Sequence, residues 1–277
     1  MYRTIIVPLD AIGGSDEALP VAATLARQSG AAVELLTVAT SDVDVLKAES
    51  ALVDLLDRWR LDLVDVEART RVVRSDDVVG AVLDAAEAPG SLVCMETRAR
   101  GALGELVLGS VSERVVRESH HPILLVGPRC GPAPDRFASL VVALDGSSLA
   151  EAILPTVAGW TTELGVTPWL FQVLPGPMPE QLGGTDVAES AYVHRIANTL
   201  PHPARSAVEW DVSHDRDVAA AIARFAGDRP AAAIALTTHG RTGLSRLALG
   251  SVALEVARQA TVPVLVLRPE WTDRAGG

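Results

Sequence analysis

Short apolar runs alternate with amphipathic segments along the whole chain. Most of the runs are unbroken, which is typical of parallel β-strands that are covered on both faces. The pattern predicts strands near 3–9, 32–38, 63–70, 91–95, 123–126, 139–144, 167–173, 207–212, 231–236 and 264–267. It predicts helices near 16–29, 43–60, 76–88, 110–118, 149–164, 186–200, 217–228 and 251–258. Alternation of this kind indicates an α/β fold with parallel sheets.

The order of the elements repeats once. Val7–Asp10 recurs as Val142–Asp145, at an offset of 135 residues, and Leu108–Val111 recurs as Leu249–Val252, at an offset of 141. The stretch between the copies, 128–137, is rich in Pro and Gly and is predicted to be a linker. We therefore predict two duplicated domains, 1–127 and 138–268.

The third strand of each domain is expected to lie at a sheet edge. In the second copy Val208, Trp210 and Val212 alternate with Glu209 and Asp211, as in a half-exposed strand. An edge position for the third strand fits the order 3-2-1-4-5. Each domain is thus predicted to be a doubly wound, five-stranded parallel sheet of Rossmann-like type.

That order places the loops after strands one and four at one crevice, where ligands of open parallel sheets bind. In the second domain the first loop carries Asp145, and the other carries Gly240, Gly243, Gly250 and Ser251. A strand, a glycine-bearing loop and a helix start form the local geometry that binds phosphate through backbone N–H groups. The alternatives are that the glycines only turn the chain and that Asp145 only makes a turn or caps the first helix of the domain.

Composition argues against several classes of partner and site. A formal net charge of -11 and a pI near 5.0 argue against nucleic acid as the main partner. No apolar run approaches the roughly 20 residues that span a bilayer, so no membrane partner is predicted and a cytoplasmic location is expected. The two cysteines, Cys94 and Cys130, make neither a disulfide framework nor a zinc site.

The chain resembles the universal stress protein family over about 1–127 and 138–268. Nucleotide-binding members of that family show Gly, two residues, Gly, nine residues, and then Gly-Ser or Gly-Thr. In the second domain Gly240, the next nine residues and Gly250-Ser251 match this motif, but Thr237 replaces the first glycine. In the first domain Gly109-Ser110 matches, whereas Glu96 and Ala99 replace both earlier glycines.

The resemblance implies a regulatory protein that binds ATP, with or without Mg²⁺, mainly in its second domain. Asp145 would meet the adenine or ribose and Val173 would line the base pocket, while Gly240, Gly250 and Ser251 would hold the phosphates. We add Arg241 on chemical grounds, because its guanidinium could pair with a phosphate. The family's habit of pairing through the fifth strand predicts that the two domains pack as a pseudo-twofold dimer. A further, weaker homodimer of whole chains is left open, and the protein partners are unknown.

Two other functions stay open. The protein could be a nucleotide-free scaffold of the same fold, an alternative that rests on Thr237. It could also be an enzyme, because 12–16 faintly resembles the phosphate loop of ATP pyrophosphatases. No Ser-His-Asp set, metal cluster or positioned base accompanies that loop. We therefore expect no catalysis beyond slow ATP hydrolysis.

Overall fold

The computed structural model describes residues 2–10, 16–60, 63–97, 109–176, 186–200, 208–229, 232–239 and 250–269, with only the backbone for 186–189. Its strands are β1 Thr4–Pro8, β2 Ala32–Ala39, β3 Ala68–Arg74, β4 Ser91–Glu96, β5 Ile123–Val126, β6 Ser139–Leu144, β7 Thr167–Pro175, β8 Glu209–Asp215, β9 Ala232–Thr237 and β10 Val264–Leu267. Its helices are α1 Ala18–Ser29, α2 Asp42–Arg58, α3 Val78–Ala86, α4 Ser110–Glu118, α5 Ser148–Glu151, α6 Leu154–Gly159, α7 Asp186–Ala197, α8 Val218–Gly227 and α9 Ser251–Gln259. A π-helical turn, Trp160–Leu164, follows α6.

The ten strands of the described residues form one sheet in the order β3-β2-β1-β4-β5-β10-β9-β6-β7-β8. Both halves therefore have the predicted order 3-2-1-4-5, with parallel neighbours inside each half. The halves join through β5 and β10, which pair antiparallel with Leu124 opposite Leu265. This antiparallel seam gives the two halves pseudo-twofold symmetry and confirms the predicted fold.

Helices cover both faces of the sheet and enclose two hydrophobic cores. The first core lies under α1, α2, α6 and α7 and contains Leu25, Leu52, Val157 and Val193. The second core lies on the opposite face, under α3, α4, α8 and α9. Each core contains residues of both halves, so burial of apolar surface holds the halves together as well as the elements within them.

Three predicted elements need correction. The structure divides the single helix predicted over 149–164 into α5, α6 and the π-helical turn. Pro155 accounts for the first break, because its ring would clash with the carbonyl of Glu151, where α5 ends. The third strands lie further along the chain than predicted, at Ala68–Arg74 and Glu209–Asp215. Both are edge strands with one neighbour, so the hydrophobic pattern marks their bounds poorly.

None of the described helices has the length and apolar character needed to cross a membrane. Within the same residues, no group of three or more His, Cys, Asp or Glu side chains could hold a metal ion. Burial along β8 follows the predicted alternation only in part: Glu209 and Asp211 are exposed and Val212 is half-buried, but Trp210 is exposed as well. Trp210 remains 40% exposed on the outermost strand.

Candidate functional site

A cavity of about 130 Å³ opens at the carboxyl ends of β6 and β9, the neighbouring first and fourth strands of the second half. This is the switch point of a doubly wound sheet. The lining comes from β6, the loop after it, α5, β7, α8, the end of β9 with the two residues after it, and the start of α9. Its residues are Ala143, Leu144, Asp145, Ala150, Phe171, Val173, Val218, Ile222, Leu236, Thr237, Thr238, His239, Gly250, Ser251, Val252 and Ala253.

One wall of the cavity is apolar. Phe171 and Val173 project from β7 on the face of the second core, and Val218 and Ile222 lie one helical turn apart on α8. The ring of Phe171 is held by Phe225 of α8, which stacks on it with 3.8 Å between ring centroids. A flat apolar ligand group would find a preformed surface here, because the supporting rings are already packed.

Asp145 lies at the rim and shapes the loop after β6. Its Oδ1 accepts hydrogen bonds from the Ser147 backbone N–H, at 2.9 Å, and from the Ser147 hydroxyl, at 2.6 Å. Ser147 in turn caps α5 by accepting from the Ala150 N–H at 3.1 Å. Gly146 has φ of 86°, which favours glycine in this tight turn. The turn-making reading of Asp145 is therefore correct, and the same carboxylate lines the cavity.

The opposite wall is the N-terminus of α9. Gly250 is the N-cap, and the first bond within the helix runs from the Leu254 N–H to the Gly250 carbonyl at 3.0 Å. The N–H groups of Ser251, Val252 and Ala253 thus have no acceptor inside the helix, and these three residues line the cavity. The helix dipole adds partial positive charge at the same point, so this wall suits an anion.

Gly250 also has a packing role that the sequence did not predict. Its N–H donates to the Thr238 carbonyl at 2.9 Å, and a Cβ built on Gly250 would lie 2.1 Å from that carbonyl oxygen. A glycine is therefore required here, because the start of α9 packs directly against the chain that leaves β9. The part of Gly250 in holding phosphates stays a prediction.

Thr237 ends β9 and is buried, with 8% of its surface exposed. Its hydroxyl donates to the His239 carbonyl at 2.8 Å. Thr238 forms a 2.9 Å hydrogen bond with Nδ1 of His239. These bonds hold the chain in a compact turn as it leaves β9, in a place where the motif of the resemblance has glycine.

The structure brings four of the predicted site residues to one cavity: Asp145, Val173, Gly250 and Ser251. Gly240 and Arg241 lie outside the described residues. Sequence reasoning missed Phe171 and the α8 residues Val218 and Ile222. The four-residue spacing of Val218 and Ile222 marks an apolar helix face, but pattern alone does not show that this face meets a ligand cavity rather than only the core.

The corresponding strand end in the first half is different. Glu96, which stands where the second half has Thr237, accepts a hydrogen bond from the Ala18 N–H at 3.3 Å. Its carboxylate thus lies at the N-terminus of α1, close to the switch point of β1 and β4. Because the negative Glu96 side chain already lies at the N-terminus of α1, binding of a second anion there is disfavoured.

The fold and the cavity define a tandem, doubly wound α/β protein with a ligand cavity at the switch point of its second half. The chain matches the model of the Universal stress protein family over residues 1–127 and 137–268. It therefore belongs to that family, as a tandem of two such domains.

Relatives and solved structures agree with this assignment. A universal stress protein of Mycolicibacterium smegmatis is 26% identical over 207 residues, which cover 71% of this chain and 68% of the relative. A universal stress protein structure from Archaeoglobus fulgidus matches with a TM-score of 0.65 and 19% identity, covering 96% of this chain and 98% of the other. A Pseudomonas aeruginosa protein of unknown function matches with a TM-score of 0.65 and 21% identity, covering 97% and 93%. At such identities the two structures show the shared fold.

Proposed function

We propose that the second half binds an adenine nucleotide, ATP in the first place, in the cavity between β6 and β9. We further propose that the protein uses this binding for regulation rather than catalysis. The observation that carries the proposal is the convergence of three features on one cavity: an apolar wall, a carboxylate at the rim, and the N-terminus of α9.

Each feature suits a different part of the nucleotide. The wall formed by Phe171, Val173 and Ile222 suits the faces of the base, and the Asp145 carboxylate can accept hydrogen bonds from ribose hydroxyls or from the adenine amino group. The N–H groups at the start of α9 and the hydroxyl of Ser251 suit phosphate oxygens.

The cavity volume indicates which part of the nucleotide the cavity would hold. At about 130 Å³ it is smaller than the roughly 300–1,000 Å³ of pockets that enclose a drug-sized ligand. It therefore suits the base, with the sugar and phosphates lying beyond it, over the start of α9. Gly240 and Arg241 belong to the segment that leads into α9, and we propose that they complete the phosphate site.

A regulatory role is proposed because the described lining offers one carboxylate, that of Asp145, and in this binding mode it faces the base or ribose rather than the γ-phosphate. A base that activates water for attack on a γ-phosphate would need a free acceptor in line with that phosphate. We accordingly propose that any hydrolysis of ATP is slow. Binding would then serve to change what the protein contacts.

Two measurements test the proposal: the nucleotide that the purified protein retains, and the binding of added ATP. Protein purified without added nucleotide is denatured with acid, and the released nucleotide is identified by chromatography. The emptied protein is then titrated with ATP by calorimetry, with Mg²⁺ and again with EDTA. The proposal expects about one adenine nucleotide per chain. A protein that releases none and shows no binding heat would contradict it.

Two variants on one strand locate the site. Val173→Phe places a larger side chain in the cavity and should weaken ATP binding at least about tenfold, or 1.4 kcal/mol. Leu174→Phe is its matched control, because Leu174 is the next residue of β7, points to the opposite face and does not line the cavity. Equal affinity in both variants would place the ligand elsewhere.

A nucleotide-free scaffold is the second candidate, and the Thr237 hydroxyl favours it. That hydroxyl already donates to the His239 carbonyl, so it stabilises the turn after β9 without a ligand. A protein that fails the titration yet retains its fold by circular dichroism would support this candidate.

A further inference from the structure

The two ends of the sheet carry opposite charges. β3 forms one end and contains Arg69, Arg71 and Arg74 but no acidic residue. β8 forms the other end and contains acidic residues with no Lys or Arg. Charged side chains on an edge strand usually prevent it from pairing with another copy. Opposite charges on the two edges of one chain disfavour only the pairing of an edge with the same edge of another copy.

The opposed charges lie on the same face of the sheet. Arg71 stands beside Leu36 in the sheet, and Asp211 stands beside Phe171. Leu36 and Phe171 both belong to the second core, so both charged residues project on that face. Side chains alternate along a strand, so Arg69 shares the face of Arg71, and Glu209 that of Asp211.

Among the residues that the structure describes, the positive charge on the β3 side is only partly neutralised. Arg69 and Arg71 share a single carboxylate, that of Glu34, at 2.9 Å and 3.5 Å. The two arginine side chains remain about half exposed, at 50% and 49%. Two guanidinium groups on one carboxylate leave a net positive charge at this edge.

On both edge strands these opposed charged residues direct their backbone groups into the sheet, and the residues between them direct theirs outward. The Glu67 carbonyl accepts from Val33 of β2, and the Asp215 carbonyl accepts from Gly176 after β7. In both edge strands the odd-numbered residues therefore bond inward, and the even-numbered residues direct their N–H and C=O groups outward. Thr70 and Val72 of β3, and Trp210 and Val212 of β8, are among these outward residues. The Val212 N–H donates to Oδ1 of Asp211 in its own strand at 2.8 Å, and pairing would exchange this bond.

Continuing the sheet would place β8 of one copy beside β3 of the next. The strands would run antiparallel, because the two halves of the sheet run in opposite directions. In an antiparallel pair, outward residues must face outward residues, so a register with Thr70 opposite Trp210 is allowed. That register sets Arg69 opposite Asp211 and Arg71 opposite Glu209.

The other face of the same register is largely apolar. Ala68 would face Val212, and Val72 would face Val208. Trp210, which is 40% exposed, would gain a cross-strand neighbour in Thr70. Shifting the register by two residues in either direction loses at least one of the two opposite-charge pairs. Opposite-charge pairs and β-branched or aromatic pairs are those that stabilise neighbouring strands.

We propose that copies of this chain associate head to tail, with β8 of one copy pairing antiparallel with β3 of the next around Trp210 and Thr70. The contact is heterologous, so an assembly of any length ends in one unpaired basic edge and one unpaired acidic edge. Symmetric β3–β3 or β8–β8 dimers centred on Thr70 or on Trp210 are disfavoured, because they oppose arginine to arginine or carboxylate to carboxylate. The partner is thus a second copy of this chain, and the assembly grows rather than stopping at two.

Sedimentation velocity of the full chain over a range of concentrations tests the proposal. At low salt the mean mass should rise with concentration beyond that of a dimer. Raising the salt should reverse much of this, because the Debye length shortens to about 3 Å at 1 M ionic strength. A chain that stays monomeric at every concentration, or stops at a dimer, overturns the proposal.

Charge reversal gives a sharper test. Glu209→Lys with Asp211→Lys makes both edges basic and should weaken association at least about tenfold. Arg69→Glu with Arg71→Glu makes both edges acidic, and it is combined with Glu34→Gln so that no carboxylate is left crowded among new ones. Each variant alone should remain monomeric, and an equimolar mixture should associate again. A mixture that stays monomeric while both variants are folded by circular dichroism overturns the proposal.

Two variants of Thr70 distinguish backbone pairing of the strands from simple charge attraction. Thr70→Pro removes an outward N–H, and proline is tolerated on the open side of an edge strand. Thr70→Ala removes the same side chain but keeps the N–H. Association should be lost in the proline variant and kept in the alanine variant, with thermal unfolding confirming that both are folded. Equal association in both would show that β3 does not pair in this way.

Discussion

Gln28 and Phe137 exchange two hydrogen bonds across the boundary between the halves. The Gln28 side-chain amide donates to the Phe137 carbonyl at 2.9 Å, and its oxygen accepts from the Phe137 N–H at 2.9 Å. The same amide donates to the Leu164 carbonyl at 2.7 Å. One α1 side chain of the first half thus satisfies three backbone groups of the second half, so docking of the halves depends on it.

Replacing Gln28 with methionine should therefore destabilise the whole chain. Gln28→Met keeps the shape but leaves three backbone groups without this partner, and we expect a loss of about 2 kcal/mol in the free energy of unfolding. Gln259→Met is the matched control, because the Gln259 amide bonds to Glu255 in its own helix, at 2.7 Å. Its cost should be at most about 0.5 kcal/mol. Urea unfolding measures both, and equal losses would show that Gln28 does not join the halves.

A second contact between the halves predicts alkaline sensitivity. The Trp160 indole N–H donates to the Tyr2 hydroxyl at 2.9 Å, and burial raises the pKa of Tyr2 to about 12. Because the folded pKa lies above the usual value of 10.0, the unfolded chain loses the phenol proton first as pH rises. The stability that this group contributes is fully present below pH 10 and is lost between pH 10 and 12.

Tyr2→Phe tests that pH dependence. At pH 7 the variant should be less stable by about 1–2 kcal/mol, because the buried indole N–H loses its acceptor. Between pH 10 and 12 the difference should shrink, because only the wild type has this phenol to ionise. Urea unfolding at pH 7, 10 and 11 measures both proteins. A difference that stays constant over this range would refute the assignment to Tyr2.

Gly250 predicts a backbone effect next to the candidate site. Gly250→Ala places a Cβ 2.1 Å from the Thr238 carbonyl oxygen, so the start of α9 must move, at a cost of about 1–3 kcal/mol. In Gly131→Ala the nearest atom to the new Cβ is the Thr261 carbonyl oxygen, at an ordinary 3.7 Å. The control should change stability by at most about 0.5 kcal/mol. Thermal unfolding compares the two, and similar melting temperatures would contradict the close approach.

These contacts mark the limit of what the sequence predicts. The repeat and the apolar runs were enough to predict the strand order, and the alternation around Trp210 predicted the edge position of β8. The pairing of β5 with β10 was predicted from the resemblance to the family. These patterns did not predict the bonds of Gln28 or the stacking of Phe171 on Phe225, because such contacts join residues that share no local pattern. The packing of Gly250 against the Thr238 backbone was not predicted for the same reason, because no spacing in the sequence reveals that contact.

The last prediction is that the two halves differ, with one nucleotide site per chain, located in the second half. At matching strand ends the first half has Glu96, whose carboxylate accepts from the Ala18 N–H at the start of α1. The second half has Thr237, which is uncharged and bonds to the His239 carbonyl. A carboxylate near the phosphates would repel them, the more strongly because the surroundings are partly buried. Titration of the intact chain with ATP should therefore give a stoichiometry near one.

Two substitutions of Thr237 separate charge from hydrogen bonding. Thr237→Glu introduces the residue of the first half and should abolish detectable ATP binding. Thr237→Val removes only the hydroxyl, so it should cost about 1 kcal/mol of stability and leave binding within about tenfold of wild type. Circular dichroism and thermal unfolding check that both variants fold. Two equivalent sites in the wild type, or full binding by a folded Thr237→Glu variant, would show that this position does not distinguish the halves.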